Sequence, residues 1–292
     1  MKTIALGDTT ISRIVELEVP YLPASVLFPD STPEALNSHR EWLEPRFLTK
    51  EEMFVLSFHT YVVRTGHHTI LVDTCIGNDK HRPDYPGFHM RDGSYLKDLT
   101  HYGVAPEDVD FVMCTHLHVD HVGWNTRLQD GKWVPTFPNA KYLFARKEWE
   151  FWKKELETNG SNLEDDSIAD SVVPIVEAGA AVLVETDYAI DDEVWLTPSP
   201  GHTPGHYCVH LAGGGDEAVM TGDVLHSPVQ CAEPDWNSTF CVLADQARAT
   251  RRGLLEKYAD TNVTILPAHF PTPTIGRFIG AGDTWRYQML ED

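Results

Sequence analysis

Thr115-His116-Leu117-His118-Val119-Asp120-His121-Val122-Gly123 places three histidines and a carboxylate within six positions, directly after the apolar run Val109-Asp110-Phe111-Val112-Met113-Cys114. The apolar run predicts a short buried strand, so the cluster is expected in an irregular loop at that strand's C-terminal end. A loop of this kind can aim neighbouring side chains in different directions, giving His116 and His118 to one metal and Asp120 and His121 to another. Imidazole and carboxylate together suit zinc or a similar divalent ion better than magnesium or calcium. The alternative is a polar loop in a histidine-rich chain, since 15 of 292 residues are histidine. The dense spacing favours metal.

Composition narrows the classes. With 42% apolar residues and eight tryptophans the chain can build a substantial core. A formal charge of −21 argues against a nucleic-acid backbone or an anionic membrane as partner. No apolar run reaches the length of a membrane span, and the opening Met1-Lys2-Thr3-Ile4-Ala5-Leu6-Gly7-Asp8 is unlike a leader. Five cysteines without a Cys-x-x-Cys pair predict reduced, mostly buried thiols and a cytoplasmic location.

Strands are expected near 3–6, 11–19, 53–64, 69–73, 141–144, 180–185, 193–196, 206–211, 217–221 and 263–266. Helices are expected near 33–43, 94–102, 147–157, 167–178 and 245–258. This alternation favours an α/β layered domain. Residues 20–50, with five prolines and scattered aromatics, read as an arm that covers a site or builds a homodimer. Residues 78–92 are expected as a polar loop over the surface. Trp149, Phe151 and Trp152 are expected in the core rather than in a pocket.

Further candidate ligands follow strand ends: His202 in Pro200-Gly201-His202-Thr203-Pro204-Gly205, Asp223 after Thr221-Gly222, and His269 in Pro267-Ala268-His269. Asp73 ends another strand, in Leu71-Val72-Asp73-Thr74. Each alone is weak; in this order, behind the first cluster, they are not.

In these residues the chain resembles the metallo-β-lactamase superfamily, in its dinuclear hydrolase branch, over about residues 53–270. The resemblance implies an αβ/βα four-layer sandwich with two facing mixed β-sheets, forming one domain over 1–292 with the 20–50 arm as lid or dimer element. It assigns His116, His118 and His202 to one metal and Asp120, His121 and His269 to a second, with Asp223 bridging. Asp73 becomes a carboxylate that orients a ligand histidine. It implies two divalent ions, of which zinc is the first expectation, with manganese, cobalt or iron as alternatives. A metal-bridging hydroxide would attack the substrate, and Asp120 would also take or relay the proton.

The bridging Asp223 sets the chain apart from true β-lactamases, and the acidic charge from RNA-processing members. The nearest likeness is to lactonases, arylesterases and methyl parathion hydrolase-like enzymes, which implies a small-molecule lactone or carboxylic or aryl ester as substrate. Phosphotriesterase and thioesterase are alternatives, and a mononuclear-iron sulfur-oxidising enzyme is an alternative of a different class. His226 stands three residues after Asp223, where quorum-quenching lactonases tend to carry tyrosine. It is expected near the metals without joining them, as a second catalytic group donating an N–H to the substrate's oxygen.

Overall fold

A computed structural model describes residues 3–160 and 166–290. Two compact units make up the chain: Thr3–Glu16 with Phe58–Tyr188, and Leu17–Ser57 with the chain from Ala189 onward.

A seven-stranded sheet contains β1 (Ile4–Leu6), β2 (Thr9–Pro23), β3 (Met53–Arg64), β4 (Thr69–Val72), β5 (Phe111–Met113), β8 (Lys141–Ala145) and β9 (Ala181–Val184), in that order. A separate hairpin of β6 (Thr126–Gln129) and β7 (Lys132–Pro135) turns at Asp130-Gly131. β3 and β4 pair antiparallel through a turn at 65–68, whereas β4, β5, β8 and β9 run parallel. The parallel strands are almost wholly apolar, as burial on both faces requires. Val62, Leu71, Val112, Tyr142 and Phe144 share the core of the first unit with Leu99, Val122 and Ile175.

The second unit carries a six-stranded sheet ordered β10 (Val194–Pro198), β11 (Tyr207–Gly213), β12 (Asp216–Gly222), β13 (Thr264–Pro267), β14 (Gly276–Ala281) and β15 (Thr284–Met289). β12 and β13 are parallel and the other pairs antiparallel, so both large sheets are mixed. The helix Ala244–Tyr258 contributes Leu255 and Tyr258 to a core with Cys208, Val219, Ile265 and Phe278.

Several expectations need correction. Residues 78–92 are not a surface loop throughout, because Lys80, Arg82 and Phe88 are buried. Arg82 donates two 2.8 Å bonds to the Asp170 carboxylate, and Lys80 Nζ donates to Thr126 Oγ1 at 2.6 Å. Paired this way, polar side chains go inside. The helix expected over 167–178 divides into a π-helical turn, Ile168–Val172, and an α-helix, Val173–Glu177. The hairpin β14–β15 was not foreseen. Within the arm, Leu27, Phe28, Leu43 and Leu48 are fully buried, and Phe28 meets Phe54 edge to face at 5.0 Å. Its helix Pro33–Leu43 matches the one expected near 33–43, and Thr32 caps its start, with Oγ1 accepting from Ala35 N.

All five cysteines are free and four are buried. Burial pushes the Cys75, Cys114 and Cys231 thiols up, away from the nucleophilic thiolate. Among the described residues, no helix is long and apolar enough to cross a membrane.

Candidate metal centre

Strand direction gathers the candidate residues. β4 and β5 are parallel, so Asp73 and the 115–123 stretch leave the same edge of their sheet. In the other sheet, β10 is antiparallel to β11 and β11 to β12, so β10 runs with β12 and β13. Their C-terminal ends deliver His202, Asp223 and His269. Sites at the carboxyl ends of parallel strands are the rule in such sheets.

In the first unit the cluster departs from the irregular loop expected. Val119–Val122 forms one helical turn with His118 at its N-cap, so Asp120 and His121 are carried on helix. The turn is secured from outside: Thr74 N and Oγ1 both donate to the His121 carbonyl, at 2.8 and 3.2 Å. Gly123 closes it, and a Cβ there would lie 1.8 Å from the Ile76 carbonyl oxygen. Only glycine permits that approach. The His116 ring lies 4.6 Å from His118 and 4.0 Å from His121, centre to centre.

Asp73 has a left-handed φ of 58°, which aspartate tolerates better than most residues. Its carboxylate accepts from Thr115 N at 2.8 Å and from His121 Nδ1 at 2.9 Å. Because a carboxylate only accepts, His121 carries its proton on Nδ1. The Nε2 lone pair of a neutral His121 then faces Asp120 Oδ1 at 3.8 Å.

Sequence reading missed Glu148. It is buried on the helix Arg146–Asn159, and its Oε1 accepts from Leu117 N at 3.2 Å and Trp152 Nε1 at 2.7 Å. It thereby holds the peptide between two candidate ligands. The only trace in the sequence is a carboxylate four residues before a tryptophan on one helical face. Trp149 and Trp152 do pack on the core, as expected, but Trp152 also meets the His118 ring at 5.3 Å.

In the second unit, Gly201 has φ 138° and a Cβ would meet Ala247 N at 2.3 Å, so glycine is required immediately before His202. Asp223 follows Gly222, which has φ 48°. Three imidazoles converge on its carboxylate: His202 Nε2 at 3.2 Å, His226 Nε2 at 3.2 Å and His269 Nε2 at 3.1 Å. Ligand atoms of His202, Asp223 and His226 all lie within 4.8 Å of one another, a group able to hold a metal ion. His226 is buried rather than superficial, stacks on His269 at 5.4 Å, and has its pKa lowered by burial, against the pull of Asp223.

Two supports here were not foreseen. His206 Nε2 accepts from Asp223 N at 3.0 Å while its Nδ1 donates to Ser199 Oγ at 2.7 Å. His269 Nδ1 donates to the Ser57 carbonyl at 3.1 Å, and Ser57 N returns a bond to the His269 carbonyl at 3.0 Å. The Ser57 carbonyl can only accept, so a neutral His269 presents its Nε2 lone pair to a carboxylate. Two acceptors at hydrogen-bond distance repel unless a proton or a cation lies between them. Both units therefore contain a histidine whose outer nitrogen is committed to a fixed acceptor and whose inner nitrogen faces a carboxylate. The donor set, imidazole with carboxylate, fits a zinc-type divalent ion.

A family model described as the metallo-beta-lactamase superfamily matches residues 55–269. An N-acyl homoserine lactonase from Bacillus sp is 26% identical over 191 residues, covering 61% of this chain and 65% of that protein. The match to the Bacillus cereus lactonase covers 60% of that protein, so under two thirds of either relative is spanned. Metallo-beta-lactamase domain-containing protein 1 of Xenopus laevis is 32% identical over 208 residues, covering 70% of this chain and 68% of its own. Among solved structures, the hydrolase AbOPH of the beta lactamase superfamily aligns with a TM-score of 0.82 at 25% identity, over 99% of this chain and 97% of its own. AidC, a dizinc quorum-quenching lactonase, aligns with a TM-score of 0.83 at 21% identity, over 100% and 97%, a likeness of fold. By motif order, fold and family match, the chain belongs to the metallo-beta-lactamase superfamily.

Proposed function

We propose that this chain is a dinuclear divalent-metal hydrolase of small ester-type substrates, with a lactone or a carboxylic or aryl ester as the substrate class. His116, His118 and His202 would hold one ion, Asp120, His121 and His269 the other, and Asp223 would bridge them. The observation that carries this reading is the pairing of His269 and His121: each has its Nδ1 proton committed to a fixed acceptor and its Nε2 turned toward a carboxylate. The relatives add the substrate class, being N-acyl homoserine lactonases. The family match runs from 55 to 269, which supports one catalytic domain rather than two.

When bound, a pair of divalent cations supplies Lewis acidity and a water activated at neutral pH. Everything else falls to the chain. Asp73 and the Ser57 carbonyl fix the rotation of two histidines, so that no reorientation is needed at the moment of reaction. Asp120 is the carboxylate able to take the proton released when the acyl centre is attacked. His226, kept neutral by burial, retains one N–H, which would bind the substrate's oxygen as negative charge grows on it. We further propose that the ions are zinc and that the chain forms a homodimer through its 20–50 arm.

Metal analysis of the purified protein, combined with a hydrolysis panel of lactones, aryl esters, thioesters and phosphotriesters, tests this reading. Two zinc-type ions per chain, activity abolished by chelation, and recovery with zinc, cobalt or manganese are the expected results. Activity in protein shown to be metal-free, or one iron per chain without hydrolysis, would refute it.

A further inference from the structure

Asp223 and His226 open a segment that returns to the helix Ala244–Tyr258, and one side chain of that helix holds the segment at three points. Arg251 is wholly buried. Its Nε donates to the Val224 carbonyl at 2.9 Å, Nη1 to the Pro234 carbonyl at 2.6 Å, and Nη2 to Asn237 Oδ1 at 3.0 Å. Asn237 in turn donates to the Ala244 carbonyl at 2.7 Å. Gln230, also buried, completes the frame. Its Oε1 accepts from His226 N at 2.6 Å, and its Nε2 donates to the Trp236 carbonyl at 2.8 Å.

We propose that Arg251 is a positioning residue, setting where the Asp223 carboxylate and the His226 ring stand by clamping both ends of the 224–237 segment; this rests on the metal-centre reading above. The backbone is pinned on either side of the Asp223 side chain, at its own N–H and at the Val224 carbonyl one peptide further on. His206 accepts from the Asp223 N–H, and Arg251 grips the Val224 carbonyl. The carboxylate therefore has little freedom left except about its own side-chain bonds.

The chemistry of the clamp argues for geometry over stability. Each of the three bonds goes to a neutral oxygen, and burying a cation against neutral acceptors costs desolvation that an apolar side chain would not incur. Burial lowers the guanidinium pKa to about 10, which leaves it charged at neutral pH. What guanidinium offers in return is a rigid planar fork that fixes three acceptors at once. Lysine, with one nitrogen on a flexible stem, cannot span them.

The test uses full-length Arg251→Met and Arg251→Lys, each stripped of metal and titrated with cobalt. It reads cobalt affinity and visible spectrum, melting of the metal-free protein, and kcat and KM on the best ester. A lost outer support of a metal ligand lowers metal affinity or activity by about 10–100-fold. We expect that loss in Arg251→Met, with an altered cobalt spectrum, a fall in kcat exceeding any rise in KM, and partial recovery in Arg251→Lys. Should Arg251→Met not fold, the same readings on Arg251→Lys decide the matter. A folded variant that melts lower yet keeps the wild-type spectrum, cobalt affinity and kcat would make Arg251 merely structural and overturn the proposal. Wild-type protein that takes up no cobalt would instead refute the metal-centre reading, and the proposal with it.

Discussion

Replacing Asp73 by asparagine isolates one interaction of the centre with little change of shape. Asparagine tolerates the left-handed φ of 58° as aspartate does, and it keeps an oxygen for the Thr115 N–H. What disappears is the negative charge behind His121 Nδ1, together with the bias that holds the proton on that nitrogen. A hydrogen bond to a charged group contributes about 1.5–3 kcal/mol, and the asparagine NH2 that then faces Nδ1 cannot accept in its place. With every 1.4 kcal/mol worth about a factor of ten, Asp73→Asn should weaken binding at the His121 position by roughly one to two decades. The assay is competition of the metal-free protein with a chromophoric chelator for zinc, which resolves two binding steps. We expect the His121 step to weaken and the other to stay near wild type, with melting of the metal-free protein little changed. Wild-type affinity at both steps would refute the argument that this carboxylate tunes the histidine.

His226→Ala should retain both metals and lose roughly one to two decades in kcat, the lower part of the range for a lost oxyanion donor; metal loss on removing His226 would instead identify it as a ligand. His210 is buried beside Thr197 and Trp195, and burial, with Lys257 adding to it, lowers its pKa from 6.5 to about 4. The unfolded chain therefore binds the proton first as pH falls. The stabilisation from the neutral ring is full above about pH 6.5 and is lost toward pH 4, up to about 3 kcal/mol, so denaturant midpoints of His210→Gln should fall less steeply across that window. Trp42 is 43% exposed on the arm, and in the homodimer proposed above Trp42→Glu should reduce the sedimenting mass from dimer to monomer. A wild-type protein that sediments as a monomer would refute the proposed dimer, and a variant of unchanged dimer mass would place this ring outside its interface.

The sequence determined the strand ends that carry the candidate ligands and the order of motifs along them. It could do so because those signals are local: an apolar run, a turn residue, a dense histidine pattern. Gly201, Gly222 and Gly123 belong to the same local class, since each marks a place where the backbone takes a positive φ or another chain segment comes too near for a Cβ. Tertiary structure decided which polar residues stand behind the candidate ligands. Glu148 reaches Leu117 across 31 positions, Arg251 reaches Val224 across 27, and Ser57 meets His269 across 212. No periodicity links such partners. A glutamate on an amphipathic helix or an arginine in the middle of one reads as a solvated charge until the fold buries it. Once buried, each must find donors or acceptors, and only the packing of distant strands and helices determines which ones lie within reach.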